Sequence, residues 1–289
     1  MIQNLWNNEV EITFFKKSLE NFLPIEKLFY KIDDKYYAYI PKNIKNMYST
    51  LQSRNSLIGK FTEKWVRDLI SPIVEKYNLF AVNGAICEEI GLSKKSSADL
   101  ALCTNNEIYQ TPKTIKAIFE IKMSIVSNYI INKNCNIEYL GDYKTHKGNP
   151  SLLRSDSMLK AIGKAINIRV SSNQANNIPI IVIGNSPITN EYTKKVDSLK
   201  QSGIIQYFIS LNPSPTKSNF ITNSDNRAFI TINNIFELDE ILKSVIKSDL
   251  NYFSSMITKD RLGNIITISN MEKNEILKAE KFLKLLNEV

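Results

Sequence analysis

Histidine is nearly missing from this chain, with His146 alone among 289 residues. Cysteine is scarce, and Cys87, Cys103 and Cys135 form no CxxC pair. These shortages exclude a disulfide scaffold, a Cys/His zinc site of ordinary spacing and most His-based nucleophilic triads. The cysteines read as small buried hydrophobes. No run of eighteen apolar residues occurs, and Met1 to Glu11 carry no basic segment leading into an apolar one. The expectation is a cytoplasmic protein with no membrane partner. Only 9 Gly and 9 Pro are present, against a collagen-like or low-complexity chain. There is no Gly-rich phosphate loop and no dinucleotide fingerprint, which disfavours an ordinary nucleotide-dependent metabolic enzyme. Chemistry here has to run on carboxylates and lysines.

The composition, 43% apolar and 23% charged, suits one large globular domain or two small ones. Lys and Arg number 37 against 29 Asp and Glu, a net charge of +8 that fits a polyanionic partner as well as plain Lys-rich composition. Residues 1–54 are mixed. From Asn55, the spacing of Leu57, Ile58, Phe61, Trp65, Leu69 and Ile70 predicts an amphipathic helix capped by Ser56 and interrupted at Pro72, with Trp65 in the core. Alternation predicts one strand over 97–104, with Asp99, Ala101 and Cys103 on one face. It predicts a second over 115–125, with Ile118, Glu120, Lys122 and Ser124 facing one way and Phe119, Ile121 and Met123 the other.

Residues 126–153 read as a long loop bearing Lys133, Lys144, His146 and Lys147, a candidate contact region. A helix over 155–170 is expected to bury Met158, Leu159, Ile162, Ala165 and Ile166. The apolar runs 178–184 and 204–211 read as covered strands around a helix at 190–202. A short strand at 228–232 and helices at 235–247 and 271–286 complete the chain.

Residues two apart on a strand project to one side, so Glu120 and Lys122 enter one site and a neighbouring strand can bring Asp99 beside them. Two carboxylates make a hard oxygen site of the kind Mg²⁺ takes, and a lysine can hold a water and balance charge at phosphorus. The rival triplets Asp33-Asp34-Lys35 and Asp142-Tyr143-Lys144 lack a convincing buried strand preceded by an acidic one. Glu120-Ile121-Lys122 is the only Glu-x-Lys in the chain.

Asp99 followed by Glu120-x-Lys122 resembles the PD-(D/E)xK nuclease superfamily, especially its type II restriction endonucleases, over roughly residues 55–211. Ala98 stands where the name-giving proline would be. The resemblance implies an α/β fold: a restriction-endonuclease-like αβββαβ core at 55–212 with a central mixed β-sheet flanked by helices, an N-terminal addition at 1–54 for recognition or dimerisation, and a C-terminal helical addition at 213–289. It implies that Asp99, Glu120 and the Ile121 carbonyl bind Mg²⁺ and that Lys122 orients or activates the water. Gly59-x-x-x-Glu63 is similar to the motif by which many members bring a further acid, so Glu63 is a secondary candidate.

For DNA contact the candidates are Lys144, His146, Lys147, Arg154, Lys160 and Lys164. Lys160 and Lys164 are one turn apart on one helix. The implied activity is Mg²⁺-dependent, sequence-specific hydrolysis of double-stranded DNA leaving 5′-phosphate ends. It would be carried out by a homodimer whose functional partner is a cognate DNA methyltransferase. A structure-specific repair or junction-resolving nuclease of the same fold, and a non-catalytic DNA-binding protein, are the alternatives.

Overall fold

A computed structural model describes residues 4–21, 24–45, 48–132, 136–216, 219–248, 250–252 and 257–288. Cys135 and Lys133 lie outside them. The centre is a six-stranded mixed sheet built from β3 (Phe80–Asn83), β4 (Leu100–Cys103), β5 (Ile115–Ile121), β8 (Ile180–Gly184), β9 (Tyr207–Ser210) and β10 (Phe229–Thr231), in the order β10-β9-β8-β5-β4-β3. The pairs β3–β4 and β4–β5 are antiparallel, while β5, β8, β9 and β10 are mutually parallel. Parallel strands need covered crossovers, and the nearly continuous apolar sequences of β8 and β9 reflect burial on both faces.

The covering helices are α2 (Gln52–Val74) and α5 (Ile235–Lys247) on one face, α3 (Ser155–Ser171) and α4 (Asn190–Gln201) on the other. Strand alternation divides the core accordingly. Leu100, Leu102, Ala117, Phe119 and Ile121 meet α2 and α5, whereas Ala101, Cys103, Ile118 and Val182 meet Met158, Ala161 and Ala165 of α3 and Val196 of α4. The alternation expected across 97–104 and 115–125 holds within 100–103 and 117–121 and breaks at the ends, where Ala98 packs with Ala101 and Ile115 with Ile118. Asp99 immediately precedes β4, and Lys122 immediately follows β5.

Other expectations change. The first long helix starts at Gln52, so Ser56 is inside it and caps nothing. It runs through Pro72 to Val74, because a proline in the last turn removes one hydrogen bond where few helical residues remain. The segment 126–153 is not a loop. It contains β6 (Asn128–Ile131) and β7 (Ile137–Gly141), which join β1 (Tyr30–Ile32) and β2 (Lys35–Tyr37) in a second sheet of order β1-β2-β6-β7. On α3, Leu159 and Ile166 are exposed and the buried set is Met158, Ala161, Ala165, Ile168 and Arg169. The C-terminal region adds α6 (Lys259–Ser269) before α7 (Glu275–Asn287).

The N-terminal segment is built into the same core. α1 (Asn8–Glu20) sets Phe14 edge-on to Phe61 of α2, and the fully buried Trp6 stands edge-on to Trp65 at 5.2 Å. Trp65 itself is half-buried. Glu11 ties α1 to the second sheet: its carboxylate accepts from Trp6 Nε1 (2.9 Å), the Val126 and Ser127 amides (2.6 and 3.1 Å) and the Tyr129 hydroxyl (2.8 Å).

Candidate active site

β4 and β5 bring the acids together. Leu100 pairs with Phe119, so the residue before β4 falls beside the end of β5, and Asp99 Oδ2 accepts from the Ile121 amide at 2.7 Å. Glu120 shares a face with Ile118, toward α3. Lys122 turns back over this corner, bonding Glu120 Oε1 and standing 3.7 Å from Asp99 Oδ2. From α3, Lys164 Nζ reaches Asp99 Oδ1 at 3.1 Å and Glu120 Oε2 at 2.6 Å. The Lys164–Glu120 contact is a close charge pair without the direction of a hydrogen bond. The four side chains are 8–19% exposed, enclosed but open to a ligand.

Backbone pinning fixes the frame. The Lys122 amide continues the ladder to the Ile183 carbonyl (2.7 Å), and its carbonyl accepts from Ser151 Oγ (2.6 Å). Ser151 has φ 51°, a left-handed conformation costly for a non-glycine residue, held by its amide's bond to Ser124 Oγ (2.8 Å) and by the Asn185 amide's bond to its Oγ (3.0 Å). Gly184 makes this turn possible: a Cβ there would lie 2.4 Å from Leu152 Cγ. On the other side, Asn83 Nδ2 donates to the carbonyls of Asp99 (2.8 Å) and Glu63 (3.2 Å), binding α2 to the start of β4.

Electrostatically the cluster balances two carboxylates with two ammoniums. Burial would lower the Lys164 pKa, but the charges of Asp99 and Glu120 outweigh it and the pKa is raised. Glu63 is raised as well, first by desolvation and then by the charge of Asp99, with the two lysines opposing. Glu63 is therefore within electrostatic reach of the pair.

The expected site residues fall into two groups. Asp99, Glu120, Lys122 and the Ile121 backbone converge, with Glu63 nearby. Lys164, expected on a DNA-facing helix surface, instead pairs with both acids. Lys160 remains 69% exposed and pairs with Asp156. Lys144, Lys147 and Arg154 are exposed.

His146 is a correction. Instead of sitting on a surface loop it is 1% exposed, stacked on Tyr39 at 4.0 Å with its Nε2 on the Val126 carbonyl. Burial lowers its pKa to about 4, which keeps the ring neutral. Cys87 and Cys103 are buried as expected. Asn83, Ser151 and Asn185 carried no sequence signal, since their roles depend on strand ends far apart in the chain.

Among the described residues no three acidic, His or Cys side chains form a ready-made metal cage. The donors present still suit Mg²⁺, which takes one or two carboxylates and keeps waters. The ammonium groups set between the carboxylates stand where a cation's charge is wanted. No family model matches this chain, and comparison with curated proteins and with solved structures returns no match. No helix among the described residues is long and apolar enough to cross a membrane.

Proposed function

We propose that the protein is a Mg²⁺-dependent type II restriction endonuclease with a PD-(D/E)xK core. The observation that carries this reading is the convergence of Asp99, Glu120 and Lys122 where β4 begins and β5 ends, with Asp99 held by the Ile121 amide. The order helix, three antiparallel strands, helix, parallel strand (α2, β3, β4, β5, α3, β8) supports it, with β6 and β7 inserted before α3.

Asp99, Glu120 and the Ile121 carbonyl would hold Mg²⁺, which when bound stabilises charge at the scissile phosphate and makes a coordinated water more acidic. Lys122 orients the attacking water and balances negative charge as the phosphodiester is hydrolysed to a 5′-phosphate. Its fixed backbone keeps the ammonium at that corner. The +8 charge supplies sequence-independent affinity for the phosphate backbone. A two-fold homodimer would place one site on each strand of a palindromic target, and a cognate methyltransferase would protect host DNA.

The test is incubation of double-stranded plasmid with the protein and Mg²⁺, followed by sequencing of the ends. Discrete products abolished by EDTA are expected. Asp99→Ala and Lys122→Ala should each lower the cleavage rate by about 10²–10³-fold or more while DNA binding persists. Unchanged cutting by both variants would sink the site assignment. Junction-only cleavage would indicate a structure-specific nuclease, and no cleavage with any divalent metal a non-catalytic binding protein.

A further inference from the structure

The two lysines of the cluster are not equivalent. Lys122 belongs to the strand that carries Glu120, and its amide and carbonyl are fixed to Ile183 and Ser151. Lys164 arrives from a separate helix on a long flexible stem. Its side chain is 17% exposed. Its Nζ touches one oxygen of each acid, Asp99 Oδ1 and Glu120 Oε2. Lys160, one turn away, satisfies itself locally on Asp156. Among the described residues, only Lys164 spans both acids from outside their strands.

We infer that Lys164 is a built-in counter-cation: its ammonium bridges Asp99 and Glu120 in place of a divalent ion, and the ion binds by displacing it. This rests on the reading of the acid pair as a cation site. Two adjacent carboxylates taken partly out of water repel each other unless a positive charge lies between them. Lys122 pairs closely with Glu120 but stands 3.7 Å from Asp99, so the nearer ammonium to Asp99 is that of Lys164 at 3.1 Å. Lys164 therefore keeps the empty pair assembled and sets the cation concentration needed to fill it. Displaced, its ammonium is free to take a new anionic partner, and a DNA phosphate is the available one.

The test measures Ca²⁺ binding by calorimetry without DNA, in the wild type, Lys164→Met and Lys164→Arg. Removing a competing unit charge should tighten Ca²⁺ binding by about tenfold or more in Lys164→Met, with Lys164→Arg close to wild type. CaCl2 should also raise the melting temperature of Lys164→Met more than that of the wild type. Equal affinity in wild type and Lys164→Met overturns the inference alone. Absence of Ca²⁺ binding in every protein overturns the cation-site reading beneath it. If Lys164→Met does not fold, the wild type decides. Acylation of the Lys164 amine by an N-hydroxysuccinimide ester, followed by mass spectrometry, should accelerate on adding Ca²⁺; an unchanged rate overturns the inference.

Discussion

Among the described residues, two of the places that bury carboxylates are neutralised differently. At the end of the six-stranded sheet, Asp99 and Glu120 face two ammoniums and remain partly open to solvent. Beneath α1, Glu11 is 1% exposed and meets only neutral donors, four of them, from Trp6, Val126, Ser127 and Tyr129. In the inference above, a divalent cation exchanges with the Lys164 ammonium. Backbone amides and an indole offer no such exchange, so the Glu11 cluster is a fixed joint. The joint lies close to the site in the chain, because Val126 comes two residues after Ser124 and four after Lys122.

Substituting Glu11 should separate the two most strongly. Glu11→Ala leaves four buried donors without an acceptor and should cost about 3–5 kcal/mol in chemical denaturation, while Ca²⁺ affinity of the folded fraction stays at the wild-type value. A stability loss below about 1 kcal/mol would remove the distinction drawn here.

Titration gives a second, smaller effect. Desolvation pushes Glu11 up to about 7, with its four hydrogen bonds opposing, and pushes His146 down to about 4. Folded Glu11 binds its proton more tightly than the unfolded chain, so its contribution falls as pH rises from about 4.5 to 7. Folded His146 binds its proton more weakly, so its contribution falls as pH drops from about 6.5 to 4. The two nearly cancel in the wild type. In His146→Gln the opposing slope is removed, and Glu11, with a contribution of the same sign from Glu63, should make stability rise by about 2 kcal/mol between pH 7 and pH 5 in urea melts. A flat profile in that variant would show that the hydrogen bonds hold Glu11 ionised.

Asn83→Ala sharpens the other side. Loss of its two bonds to the Asp99 and Glu63 carbonyls should cost about 1 kcal/mol of stability. In the cleavage assay of the proposed nuclease it should lower kcat more than it raises KM, because Asn83 holds the acid-bearing segment through the Asp99 and Glu63 carbonyls. Equal changes in both constants would make it merely structural.

Much of the site was legible in the sequence because strand periodicity is local. Residues 118–123 alternate as read, and that alternation alone puts Glu120 toward α3 and Ile121 into the opposite core. The helix at Ile235–Lys247 matches its expected span, marked by Asn234 as cap and a clean apolar stripe. The second sheet could not be read. β6 pairs with β2, and Asn128 bonds the Tyr39 amide across 89 residues of chain, a relation no local pattern encodes. His146 looked like a loop residue for the same reason, since its stacking partner Tyr39 lies in that distant segment.

Helix α3 shows where periodicity runs out. Met158, Ala161, Ala165 and Ile168 form one apolar stripe, and Leu159, Ile162, Ile166 and Val170 form another. Either could face the sheet. The observed rotation buries the smaller residues, letting the helix approach closely, and aims Lys164 at Asp99 and Glu120. By itself the sequence determined the strands β4, β5, β8 and β9 and the shared face of Glu120 and Lys122, because these follow from local alternation and apolar runs. Tertiary structure alone decided that Lys164 joins them, that His146 is buried and that Asn83 and Ser151 hold the frame. Each of those facts depends on how separate elements pack, and packing is settled by fit among distant residues.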